Sequence, residues 1–362
     1  MLIGDARGPG YADLWPGQTA VPVIPDLADR LLAPQDGPDP HIAYALATLA
    51  TYAYSDLWTV AAAGARLGLP HNFCRRLDVE VDVLFVRSQA YLLQSADGRV
   101  GVLVYRGTTP TSGINWLADL EIDREQVKID LNADGTPDPF FVHRGFYRNV
   151  RATGWKVVAA LDRAVRGQSV ARGETIAAGD GAAVPPGEFA TGLDSLEALY
   201  ITGHSLGGAM ASLAGVLLHS IRRPDLARTI RGIYTYGAPM VGSPELAATA
   251  DLPTMLGGKV FRYVYGDDIV PPVPPRASGD FQHFGTELHC KSGATEWAER
   301  RPTKQRAFLL PSVPSVGIDF LARQVLGKHL PLPFKLSIVD HLPANYLDAL
   351  GAAIGVETEF GR

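Results

Sequence analysis

Short β-branched runs alternate with longer Ala- and Leu-rich runs along most of this sequence, and that alternation points to an α/β architecture. Strand-like runs fall at residues 79–86, 90–95, 100–107, 196–203, 230–237 and 259–266. Helix-like runs fall at 41–67, 144–165, 206–221, near Glu245, and after Pro343. Three strand-like runs follow one another before the alternation sets in, which predicts a mixed, mostly parallel sheet with helices on both faces. The adjacent Asp97-Gly98 predicts a hairpin turn between the second and third runs.

Residues 1–40 are rich in Pro and Gly and read as an irregular arm on the surface. Residues 41–362 read as a single domain. Within it the Gly-, Ala-, Pro- and Thr-rich stretch 167–192 reads as a loop insertion. The formal net charge of −5 argues against a nucleic-acid partner, which would require a basic face. The longest uncharged apolar stretch, residues 42–55, is shorter than the about 20 residues a membrane span needs. The first residues, MLIGDARGPGYADLWPG, show neither the basic nor the apolar region of a secretory signal. The expected location is therefore the cytoplasm, or the exterior with a signal already removed. Two cysteines, Cys74 and Cys290, are too few for a disulfide scaffold; two independent thiols or one bridge fit the sequence.

The most informative motif is Gly203-His204-Ser205-Leu206-Gly207. A Gly-x-Ser-x-Gly match is weak in a chain with 38 glycines, and a packing turn with an incidental serine would produce it too. Its setting strengthens it, because a short apolar strand precedes it and small residues, Gly208-Ala209-Met210-Ala211, open a helix after it. On such a turn the Ser205 hydroxyl is exposed as a candidate nucleophile. The helix N-terminus supplies N–H groups where an oxyanion would form.

A serine hydroxyl needs a base. With the triad order nucleophile, acid, histidine, the candidates are His283, His289, His329 and His341. His341 is favoured because it sits in a loop just before a helix-like run; His283 is its rival, with a core role as the alternative. His204 adjoins the nucleophile on a tight turn and reads as structural. The acid is expected after a late strand, where Asp267 and Asp268 follow residues 259–266 and precede Val270-Pro271-Pro272. Pattern alone does not separate the two. Leu206 N–H and the turn at Thr108 are the candidate oxyanion donors.

Several ordered motifs together resemble the class 3 lipase family. They are Tyr105-Arg106-Gly107-Thr108, Asn115-Trp116-Leu117-Ala118-Asp119-Leu120, Val142-His143-Arg144-Gly145-Phe146, the serine motif extended to Gly208, Tyr236-Gly237-Ala238-Pro239-Met240-Val241-Gly242, Asp268-Ile269-Val270-Pro271, and Asp340-His341. The resemblance covers roughly residues 40–350 and implies an α/β-hydrolase-type fold. It implies a triad of Ser205, Asp268 and His341, an oxyanion hole at Thr108 and Leu206, and a lid carrying Trp116 and Leu117. It implies hydrolysis of carboxylic esters of acylglycerol type, through an acyl-enzyme, with a lipid or ester substrate met at a lipid–water interface. Phospholipase A1, polyester hydrolase and acyltransferase chemistry use the same triad and stay open. A catalytically inactive, lipase-like binding protein is the reading from another class, and it would be marked by a replaced triad residue.

The chain departs from the family in lacking cysteines for several disulfides, and in two long segments, 167–192 and 300–338. The second is apolar around Phe308 and Phe320 and is expected to form a cap or part of an acyl-binding wall. No metal or organic cofactor is required by this chemistry. Asp130, Asn132, Asp134 and Asp138 space like the start of a calcium loop, but Phe141 stands where that loop carries a glutamate; an acidic turn is the plainer expectation.

Overall fold

Strands buried on both faces set the framework of the computed structural model, which describes residues 21–81, 86–107, 124–131, 135–172, 175–176, 188–221, 223–305 and 337–358. In chain order the early elements are α1 (Leu27–Leu32), α2 (Pro40–Tyr52), α3 (Leu57–Leu67), β1 (Asn72–Val81), β2 (Val86–Gln94) and β3 (Val100–Tyr105). Then come β4 (Arg124–Ile129), β5 (Asp138–His143), α4 (Arg144–Val165), β6 (Gln168–Arg172), β7 (Thr175–Ile176), β8 (Phe189–Thr191) and β9 (Ala198–His204). The last are α5 (Leu206–Ser220), α6 (Pro224–Ala227), β10 (Ile230–Tyr236), α7 (Pro244–Ala250), β11 (Val260–Tyr265), β12 (Thr286–Cys290), β13 (Ala298–Arg300) and α8 (Pro343–Ala353).

Among the described residues the main sheet has nine strands in the order β13-β12-β11-β10-β9-β3-β2-β1-β7. The five from β3 to β12 run parallel, and both margins are antiparallel. Side chains of the central strands alternate between two cores. Leu103, Leu199, Ile201 and Ile233 face α4, α5 and α7, whereas Val102, Tyr200, Tyr234 and Tyr263 face α1, α2 and α8. The second core is unusually aromatic, and two of its tyrosine hydroxyls donate to helix carbonyls. Tyr200 reaches Leu31 O at 3.1 Å and Tyr236 reaches Ala43 O at 2.5 Å. The mostly parallel sheet with helices on both faces is thus the one the sequence predicts.

Local chemistry fixes the element ends. Asp39 caps α2 by accepting from His41 N and Ile42 N, with Pro40 at the first helical position. Asp56 caps α3, and Gly68 closes it at φ +136°. The Asp97-Gly98 turn joins β2 to β3, with Gly98 N donating to Ser95 O at 2.9 Å and Gly98 at φ +96°.

Three expectations need adjustment. The run 79–86 is not one strand: β1 ends at Val81, β2 begins at Val86, and the two pair antiparallel. Residues 1–40 are more than an irregular arm, because α1 lies within them and Val21, Ile24, Leu27 and Leu31 are buried under the second core. Stretch 167–192 carries paired strands: β6 with β8, and β7 against β1. Much of 300–338 lies outside the described residues.

Cys74 and Cys290 are buried free thiols. They sit on β1 and β12, six strand steps apart in the sheet, roughly 30 Å. A disulfide needs its Cα atoms within about 7 Å, so no bridge forms between them in this fold.

Arg262 on β11 and Glu287 on β12 form a buried ion pair at 2.9 Å, with side-chain exposures of 4% and 0%. Burial alone would raise the Glu287 carboxyl; Arg262, the Thr303 amide and Arg300 outweigh it and hold the pKa at about 2. The ordinary value is 4.5, so the pair stabilises fully above that pH and the contribution is lost as pH falls toward 2. Arg262→Leu should cost about 3 kcal/mol in urea unfolding at neutral pH and move acid unfolding to higher pH. An unchanged urea midpoint would show that the pair contributes nothing.

Candidate active site

Ser205 stands between β9 and α5 with φ +58° and ψ −128°, a conformation that a residue with a Cβ adopts only under constraint. The constraint is close packing of small residues. A Cβ on Gly203 would collide with the Gly207 backbone, and one on Gly207 would collide with Tyr105 O at the end of β3. A Cβ on Gly208 would come within 2.7 Å of Ala238 Cβ. The Ser205 amide donates to Tyr236 O at 2.9 Å, so the turn is also tied to the end of β10.

Two residues from distant parts of the chain meet this serine. His341 Nε2 lies 2.8 Å from Ser205 Oγ, and His341 Nδ1 lies 2.8 Å from Asp268 Oδ2. Asp268 follows β11 and is buried, with Oδ1 accepting from Val270 N at 2.8 Å. The Tyr346 hydroxyl, on α8, donates to the same Oδ2 at 2.5 Å. The carboxylate is therefore held by two donors besides the ring and presents an Oδ2 lone pair to Nδ1. Such an orientation fixes Nδ1 as the protonated nitrogen and leaves Nε2 free to accept from the serine.

The rival groups have other partners. Asp267 is exposed, and its backbone N–H donates to Asp340 Oδ2 at 2.8 Å. His283 is buried, bonded through Nε2 to Pro271 O, and burial drives its pKa down to about 3. His289 bonds Gly266 O, and His329 lies outside the described residues. Asp340 does not meet the ring: it also accepts from Ser292 Oγ, so it pins the His341 loop to the segments after β11 and β12. Leu206 opens α5, where the first N–H groups lack intrahelical acceptors. Thr108, Trp116 and Leu117 lie outside the described residues. Of the candidate calcium ligands, Asn132 and Asp134 lie outside as well, while Asp130 Oδ2 accepts from Gly135 N at 3.1 Å and Asp138 opens β5. Among the described residues no His, Cys, Asp and Glu group is arranged to hold a metal ion.

Sequence reasoning missed Tyr346, Gly237 and the Asp340 tether. Only Asp340 left a local trace, as Ser337 Oγ accepts from the Asp340 amide three residues on. The other two depend on where the sheet places them.

With this geometry in view, residues 188–278 match the profile described as Lipase (class 3). That window contains β9, α5, β10, α7 and β11, and with them Ser205 and Asp268. Over this window the chain is similar to the class 3 lipase family. It is 44% identical to a lipase of Rhizopus niveus over 95 residues, 26% of this chain and 23% of that one. To a triacylglycerol lipase of Ricinus communis it is 27% identical over 216 residues, 54% of this chain and 39% of that one. To a secreted mono- and diacylglycerol lipase of Fusarium solani it is 32% identical over 126 residues, 34% of this chain and 35% of that one. In each case the chain spans less than half the length of the relative. The fold is similar to that of the lipase from Rhizopus microsporus var. chinensis, with a TM-score of 0.52 at 22% identity over 74% of this chain and 81% of that one. It also resembles the Rhizomucor miehei triacylglyceride lipase, with a TM-score of 0.50 at 22% identity over 83% and 91%. Among the described residues, no helix is long and apolar enough to cross a membrane.

Gly237 supplies a test of the cluster. It has φ +59°, and a Cβ there would lie 2.6 Å from Asp268 Oδ2 and 2.9 Å from His341 Nδ1. Gly237→Ala should cost about 1–2 kcal/mol in backbone strain. It should also abolish the strongly deshielded Nδ1 proton signal that a His–Asp hydrogen bond gives in proton NMR. Retention of that signal would contradict the described packing.

Proposed function

We propose that this chain is a serine ester hydrolase of lipase type, with Ser205 as nucleophile, His341 as general base and acid, and Asp268 as the orienting carboxylate. The observation that carries the reading is the pair of 2.8 Å contacts from His341 to Ser205 Oγ and Asp268 Oδ2, made at a constrained strand-to-helix turn. No replaced triad residue supports the alternative of an inactive binding protein.

In this reading Ser205 Oγ attacks the ester carbonyl carbon while its proton passes to His341 Nε2. The carbonyl oxygen becomes an oxyanion, held by the Leu206 N–H at the start of α5 and by Thr108. The tetrahedral species collapses; the carbon–oxygen bond to the alcohol breaks and His341 returns the proton to that oxygen. Water then repeats the sequence on the acyl-enzyme, releasing the carboxylic acid and restoring Ser205. Asp268 stabilises the imidazolium formed in each half without taking its proton.

Acylglycerol esters are the proposed substrate class. The printed descriptions of relatives, a triacylglycerol lipase and a mono- and diacylglycerol lipase, support it. So do Val339 and Leu342, which flank His341 and are 53% and 40% exposed, an apolar border that suits acyl chains. The family resemblance supports assigning Trp116 and Leu117 to a lid. Residues 300–338 are assigned to an acyl-binding wall or cap.

A panel of p-nitrophenyl esters from short to long acyl chains tests the reading. Ser205→Ala should lower turnover by about four to six orders of magnitude with every ester that the wild type cleaves. Equal turnover by the two proteins would exclude Ser205 as the nucleophile.

A further inference from the structure

His204 adjoins the nucleophile yet serves the opposite face of the sheet. On β9 the side chains of Ala198 and Tyr200 belong to the core beneath α2 and α8, and Thr202 Oγ1 contacts Leu46 O on α2. His204 continues that alternation and is only 3% exposed. Its ring nitrogens have definite neighbours: Nδ1 lies 2.9 Å from the Tyr54 hydroxyl, and Nε2 lies 2.8 Å from the backbone oxygen of His341.

Chemistry assigns the protons. A carbonyl oxygen only accepts, so Nε2 must carry hydrogen. Burial and the neighbouring His341 disfavour a charged ring, so Nδ1 holds a lone pair, and the Tyr54 hydroxyl donates to it. Burial also raises the Tyr54 phenol far above its ordinary range, which keeps that donor protonated. A directed chain of hydrogen bonds thus runs from Tyr54, two residues beyond α2, through the serine turn to the peptide of His341.

We propose that His204, oriented by Tyr54, is a positioning residue that fixes the backbone of His341 and so sets the reach of its imidazole to the Ser205 hydroxyl. This rests on the ester-hydrolase reading above. Among the described residues the His341 loop is also tied from Ser337 N to Asp267 O, from Asp340 to Asp267 N and Ser292, from Asn345 Nδ2 to Val339 O, and by turn bonds such as His341 N to Ile338 O. The contact from His204 acts at the His341 peptide itself, from beneath. The two imidazole rings also pack with centroids 4.6 Å apart, and Tyr346 closes the far edge of His204 at 5.8 Å. A charged His204 at that separation would oppose the imidazolium that His341 must become, so a neutral donor suits the position.

Steady-state kinetics on one p-nitrophenyl ester separates positioning from filling. His204→Phe keeps a ring of similar size but removes the donor; it should lower kcat on the order of tenfold to a hundredfold, as misplacement of a reacting group does. KM should change by no more than about twofold, since the contact does not touch substrate. His204→Gln can donate to the same carbonyl and accept from Tyr54, and should recover most of the lost kcat. Tyr54→Phe, which leaves Nδ1 without its donor, should fall between wild type and His204→Phe, and it decides the matter if the His204→Phe protein does not fold. Melting temperatures are measured alongside. An unchanged kcat in His204→Phe, a KM effect without a kcat effect, or equal impairment in His204→Gln and His204→Phe would overturn the proposal. So would an unchanged kcat in Tyr54→Phe. Ser205→Ala in the same assay separates the two readings. Turnover that survives it removes the hydrolase reading and the positioning role together. Turnover that Ser205→Ala abolishes but His204→Phe leaves intact removes the positioning role alone.

Discussion

The site depends on the backbone of Ser205, which is held at φ +58° between a fully buried strand and a helix that starts one residue later. A non-glycine residue reaches that region at a cost of order 1–3 kcal/mol, and here three glycines and the end of β3 leave the turn no other shape. The price of that strain is met by the packing of the central sheet, whose strands β3, β9, β10 and β11 are buried along almost their whole length. Because the turn is rigid, the hydroxyl has a defined position for the other groups to meet. Were the turn free to relax, the 2.8 Å contact between His341 Nε2 and Ser205 Oγ would not persist.

The remaining groups arrive at the carboxyl end of the same sheet by different routes. Asp268 follows β11 directly, two strands from β9. His341 comes from a loop before α8, and that helix packs against α2 in the aromatic core. Tyr346 on α8 therefore couples core packing to chemistry, since one hydroxyl is both a member of the core and a donor to Asp268. His204, on the strand that leads into Ser205, likewise belongs to the buried side and bonds the His341 carbonyl. Ser205 and Asp268 are buried and His341 is partly so, and the groups that hold all three lie inside the molecule.

Much of this arrangement is legible in the sequence, and the reasons differ by element. Buried parallel strands read as continuous β-branched runs, so β9, β10 and β11 are visible to within a residue or two, as is the amphipathic α4. The serine turn is visible because its geometry demands Gly at fixed offsets. Choosing between Asp267 and Asp268 from the residues alone is not possible, since neighbours differ only in which way each points; the structure buries one and exposes the other. The break between β1 and β2 inside 79–86 escapes notice because the run holds only apolar and acidic residues, with no Gly or Pro. Helix α1 escapes notice because it is six residues long and flanked by Pro and Gly. His204 reads as structural from adjacency, yet its hydrogen bonds show a side chain that reaches the His341 peptide from the opposite face of the sheet.

The central claim is that the Ser205 hydroxyl becomes acylated during turnover. Mixing the enzyme with excess p-nitrophenyl ester, quenching with acid within milliseconds, and mapping the adduct by peptide mass spectrometry measures this directly. The account predicts one acyl group on the peptide containing Ser205, formed in step with a burst of nitrophenol. An acyl group on another residue, or steady turnover with no adduct on that peptide, would contradict it.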